Sequence, residues 1–189
     1  AAMQPSEKPY LKTGVFELAK HRIVWLLVLM ISDMVSGVIL GQFEAAFVAL
    51  PVLVTFIPML TDTGGNAGSQ SSTLIIRGMA VGELQERDWL KILWKEFRVS
   101  FIAGSILAAV NLVRIGVMYK GHPWGVAFTV SCAMLGTVML AKTIGGLLPV
   151  IAKKLHTDPA LMAGPLITTI VDAVSLLIYL NVAKIILHI

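Results

Sequence analysis

The stretch that decides the fold of this chain is Pro165-Leu-Ile-Thr-Thr-Ile-Val-Asp-Ala-Val-Ser-Leu-Leu-Ile-Tyr-Leu180. It is apolar apart from a few hydroxyl groups, yet it contains Asp172. We expect Pro159 to begin a helix here, which would put Asp172 about 20 Å from the helix start and near the middle of a hydrocarbon core about 30 Å thick. A carboxylate at that depth is costly unless it faces a cavity or a cation, so it indicates a functional site.

The composition is that of an integral membrane protein. Of the 189 residues 57% are hydrophobic and 14% are charged, and the mean hydropathy is +0.83. Several apolar runs exceed the roughly 18 residues of a membrane span and no ten-residue alternation suggests a barrel, so we predict an all-α membrane protein. The single cysteine, Cys132, excludes a multi-thiolate metal site within one chain. The four histidines fall at predicted helix ends or loops, which argues against a zinc or copper site.

We predict five transmembrane helices, separated by turn and charge signals: Ile23–Leu40, Ala45–Gly82, Phe97–Met118, Val126–Ile151 and Pro159–Leu187. Residues 23–189 would then form one five-helix transmembrane domain. We expect residues 1–22 to be a cloning remnant or frayed end followed by a cytoplasmic segment, with no signal peptide.

The basic residues indicate the orientation. With the N-terminus in the cytoplasm, most of the 15 Lys and Arg residues lie on that side. They are Lys8, Lys12, Lys20, Arg22, Arg77, Arg87, Lys91, Lys95, Arg98, Lys153 and Lys154. The opposite side has Lys120, with Arg114 and Lys184 near it. The positive-inside rule therefore places the N-terminus in the cytoplasm and, after five spans, the C-terminus outside. The net charge of +4 reflects this topology rather than a nucleic-acid partner.

Asp172 belongs to a polar stripe of the fifth helix. Helical spacing aligns on it Gly164 or Pro165, Thr168, Asp172, Ser175 and Tyr179. Oxygen ligands of this kind suit a hard divalent cation, and Mg²⁺ in particular keeps several waters and needs only one or two carboxylates. The alternative is an aspartate that is protonated or paired with a buried lysine.

The second helix contains a polar run, Thr61-Asp-Thr-Gly-Gly-Asn-Ala-Gly-Ser-Gln-Ser-Ser-Thr73, that no lipid-facing surface would tolerate. Asp62, Asn66 and Gln70 recur at intervals of four and so share one helix face, while Gly64 and Gly68 allow a neighbouring backbone to approach closely. One interpretation is a pore wall beside the Asp172 stripe. The other is a tight helix crossing held by amide hydrogen bonds.

Three further charged residues remain open to interpretation. Asp33 lies near the middle of the first helix and is a second-rank ion ligand. Lys142 is expected to snorkel toward the interface or to pair with a carboxylate. Asp158, which precedes Pro159, has the pattern of a helix N-cap, although a carboxylate at the cytoplasmic mouth would also attract cations.

Two long motifs carry a family resemblance. They are Ile57-Pro-Met-Leu-Thr-Asp-Thr-Gly-Gly-Asn-Ala-Gly-Ser-Gln-Ser-Ser-Thr-Leu-Ile-Ile-Arg-Gly78, followed by Val81-Gly-Glu-Leu84, and Asp158-Pro-Ala-Leu-Met-Ala-Gly-Pro-Leu-Ile-Thr-Thr-Ile-Val-Asp172. From about Lys20 to its end the chain resembles the MgtE family of magnesium channels. The resemblance implies a homodimer in the lipid bilayer, with an ion path along the two-fold axis that is lined by the fifth helices and flanked by the second.

The resemblance also implies a set of site residues. Asp172 would be the pore carboxylate that holds a largely hydrated Mg²⁺, and backbone around Gly164 and Thr168 would add to the metal site. Asp62 and Asn66, with Gln70, fall in the other signature of the family. Typical members carry a cytosolic helical domain and a CBS pair, and residues 7–20 look like the end of the helix that connects them to the first span.

The function expected from these observations is Mg²⁺ transport by a multi-pass protein of the bacterial cell membrane, not enzyme catalysis. One alternative is a secondary exchanger that couples Mg²⁺ to Na⁺ or H⁺ through Asp33 and Asp172. A remote alternative is an intramembrane aspartyl protease using Asp62 and Asp172. We interpret Asp62-Thr63-Gly64, which copies the tripeptide of pepsin-like proteases, as a chance match because that motif works on a β-turn of an all-β fold.

Overall fold

The computed structural model describes residues 10–119, 124–159 and 164–188. In this part of the chain the secondary structure is entirely helical, which confirms the predicted all-α class. The α-helices are α1 (Val15–Gln42), α2 (Glu44–Ala49), α3 (Ile57–Ala80), α4 (Trp89–Met118), α5 (Trp124–Lys154) and α6 (Pro165–Leu187). Short 3-10 segments cover Tyr10–Lys12, Pro51–Phe56 and Glu86–Asp88.

Among the described helices, four are long and apolar enough to cross a membrane, and the protein is a multi-pass membrane protein. The four candidate spans are Val15–Gln42, Glu86–Met118, Trp124–Lys154 and Pro165–Leu187. Helix α3, at 24 residues, is long enough to span. It is not one of the four, because the polar run 61–73 occupies its middle.

The second predicted helix, Ala45–Gly82, is wrong as one continuous element. The structure divides it into α2, the 3-10 segment Pro51–Phe56 and α3. Pro51 stands at the start of the 3-10 segment, where its missing N–H group costs nothing, but it prevents α2 from continuing. The turn is anchored by Tyr179 of α6, whose hydroxyl donates a buried hydrogen bond of 2.9 Å to the carbonyl of Leu53.

The predicted start of the last helix is also wrong. Helix α6 begins at Pro165 rather than at Pro159. Gly164, the residue before it, has a φ of +71°, which lies outside the α-helical region, so α6 does not extend further toward the N-terminus. Asp158 is therefore not the N-cap of α6. Residues 160–163 lie outside the described part. Asp172 is seven positions from Pro165, which places it about 10 Å into the helix, half the predicted depth.

Helix α5 is the centre of the bundle, with α3, α4 and α6 packed around it, while α1 lies against α6. The tightest contact joins α5 to α3, since a Cβ added at Gly145 would fall onto the backbone of Gly68. By contrast, only 6% of the most apolar 18-residue stretch of α1 is buried against the rest of the chain. The polar helix α3 is thus held among apolar helices, which brings its first half beside α6.

Candidate ion-binding site

A cavity of about 370 Å³ lies where the first half of α3 meets the first two turns of α6. It is lined by Pro58, Thr61, Asp62, Gly65, Asn66, Thr168 and Asp172. Four of the five predicted metal-binding residues thus face one space, although the two helices are about a hundred positions apart in the sequence. The fifth, Gly164, is not among the lining residues.

The α3 wall is formed by Asp62 and Asn66, one helical turn apart on an exposed face. The Asn66 side-chain nitrogen donates a hydrogen bond of 3.2 Å to Oδ2 of Asp62. This contact leaves the side-chain oxygen of Asn66 and Oδ1 of Asp62 available to accept hydrogen bonds. Gln70 shares the exposed face, as its spacing predicted, but it lies a turn beyond the cavity.

The α6 wall is formed by Thr168 and Asp172, again one turn apart and both partly buried. The Thr168 hydroxyl donates to the carbonyl of Pro165 at 2.8 Å, so toward the cavity it acts as an acceptor. Pro165 begins the helix, and its carbonyl also accepts from Thr169 at 3.0 Å. The wall therefore offers oxygen acceptors and no positive charge.

Gly65 lies where α3 and α6 approach each other closely beside the cavity. A Cβ added there would lie 3.0 Å from Cγ2 of Thr168, so a larger residue would require the Thr168 side chain to shift by a few tenths of an ångström. This is the close approach that the small residues of the polar run predicted. The close helix crossing expected of this run is found on the buried face of α3, which contains Gly65, whereas Asp62 and Asn66 lie on an exposed face, where a pore wall stays a prediction.

The predicted polar stripe of α6 divides into two parts. Thr168 and Asp172 face the cavity, but Ser175 and Tyr179 are almost completely buried, at 1% and 0% exposure. Gly164 stands at the N-cap, and its carbonyl accepts the amide hydrogen of Thr168 at 3.0 Å. The stripe turns inward because α6 packs against α3 and α5 below the cavity.

The charges near Asp172 are acidic. Asp33 of α1 and Asp62 of α3 both lie within electrostatic range of its carboxylate. Nevertheless, within residues 10–119, 124–159 and 164–188 no three His, Cys, Asp or Glu side chains come close enough together to hold a metal ion directly. The described residues therefore supply negative potential and hydrogen-bond acceptors, not a closed coordination shell.

Two buried charged residues escaped the sequence analysis in whole or in part. Glu96 of α4, 9% exposed, accepts a hydrogen bond from the Ser71 hydroxyl of α3. Lys142 of α5 is also buried, at 8% exposure, and no described carboxylate forms the expected ion pair with it, while its snorkelling toward the interface stays a prediction. Glu96 stands next to Lys95 and close to Arg98, just before the predicted third helix. The sequence therefore indicated an exposed, charged segment at the membrane interface and gave no sign that this carboxylate is buried.

Comparison with known proteins finds matches that cover most of the chain. Residues 57–182 match the MgtE family model, described as a divalent cation transporter, and these residues include both walls of the cavity. The magnesium transporter MgtE of Thermus thermophilus is 37% identical over 180 residues, covering 95% of this chain and 39% of the relative. The protein of the same name from Bacillus subtilis is 32% identical over 176 residues, covering 93% of this chain and 39% of the relative.

A third relative, the magnesium transporter MgtE of Enterococcus faecalis, is 31% identical over 166 residues. That match covers 88% of this chain and 36% of the relative. The chain thus spans well under half the length of the curated relatives that it matches. The family model nevertheless covers about two thirds of the chain, and we conclude that the chain belongs to the MgtE family of divalent cation transporters.

Proposed function

We propose that this chain forms the membrane pathway of a magnesium transporter, and that hydrated Mg²⁺ passes through the cavity between α3 and α6. The observation that carries the proposal is the convergence of Asp62 and Asn66 with Thr168 and Asp172 on one space. The relatives named magnesium transporters support the choice of ion.

The size of the cavity suits a hydrated ion. Mg²⁺ holds six waters at about 2.0 to 2.1 Å and loses them reluctantly. At about 30 Å³ for each water, the hydrated ion occupies about 180 Å³, which fits within the cavity of about 370 Å³. Metal-bound waters are strong hydrogen-bond donors, and the carboxylate, amide and hydroxyl oxygens of the two walls are the acceptors that they require.

We further propose a parallel homodimer in which two such cavities face each other across a two-fold axis. The cavity of one chain is open on one side, and one Asp172 carries only half the charge of a dication. A second copy would close the open side and add a second Asp172 carboxylate to the ion path. In this arrangement α3 joins the four candidate spans and brings their number to five, because its neighbours shield it from lipid. Residues 23–189 then form the ion-pore domain.

The membrane potential is sufficient to drive the ion inward. Moving one charge across 100 mV is worth about 2.3 kcal/mol, and a divalent ion gains roughly twice that amount. With the N-terminus in the cytoplasm, as the basic residues predict, the cell membrane provides this force. Neither the exchanger nor the aspartyl protease is supported by the family match.

Flux in proteoliposomes tests the proposal. The purified chain is reconstituted with a Mg²⁺-sensitive dye inside the vesicles, and a potassium diffusion potential is applied with valinomycin. We expect inward Mg²⁺ flux that follows the applied potential and needs neither a Na⁺ nor a pH gradient. Flux that requires one of these gradients would contradict a passive pathway and favour the exchanger. Absence of any flux from correctly folded protein would overturn the transport proposal for this chain.

The dimer has its own test. Light scattering coupled to size-exclusion chromatography should give a protein mass about twice the chain mass of 20.4 kDa. The Asp172→Ala variant should elute in the same position, because its side chain faces the cavity and not the packed interior. A monomer that still conducts Mg²⁺ would contradict the two-fold arrangement.

A further inference from the structure

A second cavity lies at the end of the bundle where α4 begins and α5 ends. It measures about 480 Å³ and is lined by Glu86, Arg87, Trp89, Leu147, Val150, Ile151 and Lys154. We call it the α4–α5 groove. It shares no lining residue with the ion cavity, so its role is separate from the binding of the ion.

The floor of the groove is apolar. A single stripe on α5, with three- and four-residue spacing, contains the apolar Leu147, Val150 and Ile151 and ends at Lys154. Ile151 is 47% exposed, and Trp89, across the groove at the start of α4, is 46% exposed. In the described part of the chain, the apolar floor of the α4–α5 groove is thus left uncovered.

The rim of the groove is basic. Arg87 and Lys154 are both exposed, and neither forms an ion pair with a described carboxylate. Glu86 is the only acidic lining residue, so the rim has a net positive charge. The planar guanidinium of an arginine and the compact ammonium of a lysine both donate hydrogen bonds to phosphate oxygens.

Position along the helices selects the occupant. The groove lies at the termini of two membrane-spanning helices, where Trp89 has the interfacial location that tryptophan favours in membrane proteins. Basic pockets between transmembrane helices bind anionic lipid head groups. A soluble phosphate compound would match the rim but would leave the apolar stripe of α5 exposed to water.

We propose that the α4–α5 groove binds an anionic glycerophospholipid. The phosphate lies between Arg87 and Lys154, one acyl chain follows the α5 stripe over Ile151 and Leu147, and the Trp89 ring packs beside the glycerol region. The bound lipid fastens the start of α4 to the end of α5. Zwitterionic phosphatidylcholine carries a choline cation that the basic rim disfavours, so it binds more weakly.

Tryptophan quenching by brominated lipids tests the proposal on the reconstituted chain. Vesicles of phosphatidylcholine contain an equal fraction of either brominated phosphatidylglycerol or brominated phosphatidylcholine, and the fluorescence lost in the Trp89→Phe variant isolates the signal of Trp89. We expect brominated phosphatidylglycerol to bind beside Trp89 with a preference of about 30-fold over brominated phosphatidylcholine, since two basic residues act on the head group.

A matched pair of variants separates the groove from general surface charge. The double variant Arg87→Gln with Lys154→Gln should lose the preference, whereas Lys95→Gln with Lys153→Gln removes the same charge outside the groove lining and should keep it. Equal quenching by the two lipids, or equal loss in both double variants, would overturn the site. Displacement of the brominated lipid by soluble glycerol phosphate would show that the occupant is a free phosphate compound and refute the lipid assignment. Circular dichroism and elution volume verify that each variant is folded.

Discussion

Replacement of Asp172 by asparagine removes one negative charge from the cavity and leaves the shape of the side chain nearly unchanged. Asp172 is partly buried, and none of the hydrogen bonds described for this chain depends on its carboxylate. The variant should therefore fold and assemble as the wild type does. Any change in Mg²⁺ binding then measures the electrostatic contribution of this group.

The magnitude follows from the distance at which a hydrated ion is held. A metal–water bond of about 2.1 Å and a hydrogen bond of about 2.7 Å place Mg²⁺ up to about 4.8 Å from the carboxylate oxygen. At that distance the attraction between a dication and one carboxylate is about 2 kcal/mol in water and about 7 kcal/mol at an effective dielectric constant of 20. Because the ion keeps its water in the proposed pathway, we expect the lower value, which corresponds to a loss in affinity of about 30-fold per carboxylate.

Titration calorimetry of Mg²⁺ binding and flux in proteoliposomes measure the effect. The matched control is Glu83→Gln, which removes the same charge from an exposed position between α3 and α4. We expect Asp172→Asn to weaken binding and slow transport, and Glu83→Gln to change neither. Wild-type affinity and flux in Asp172→Asn would show that oxygen geometry matters rather than charge and would refute the electrostatic argument.

Three further predictions concern hydration and packing. Hexaammine cobalt, a mimic of hydrated Mg²⁺ that cannot exchange its ligands, should compete with Mg²⁺ in the calorimetric titration; if it fails to bind where Mg²⁺ saturates, the ion sheds its water and the hydrated pathway is wrong. Gly145→Ala should lower the free energy of unfolding by about 1 to 3 kcal/mol in detergent denaturation, since its Cβ would meet the backbone of Gly68, whereas Gly37→Ala has open space inside α1 and should be neutral or stabilising by up to about 1 kcal/mol. Tyr179→Phe should cost about 1 to 3 kcal/mol in the same assay, because the buried Leu53 carbonyl loses its donor; equal stability would show that a water replaces the hydroxyl.

Much of the site follows from the sequence because helical periodicity is a local property. The spacing of four residues put Asp62 and Asn66 on one face of α3 whatever surrounds that helix, and the structure finds both in the cavity wall. An aspartate within an apolar segment likewise had to face a polar space, and Asp172 does so. The all-α class also follows from the sequence, since apolar runs of this length leave helices as the spanning structure.

The tertiary structure decided which part of each helical face is covered. Thr168, Asp172 and Ser175 share a stripe by periodicity alone, yet only the first two line the cavity, because packing against α3 and α5 buries Ser175. The burial of Glu96 and the close approach of Gly65 to Thr168 depend in the same way on where neighbouring helices cross. Periodicity fixes the angle of a side chain about its own helix axis, but contacts between residues far apart in the chain fix what that angle faces.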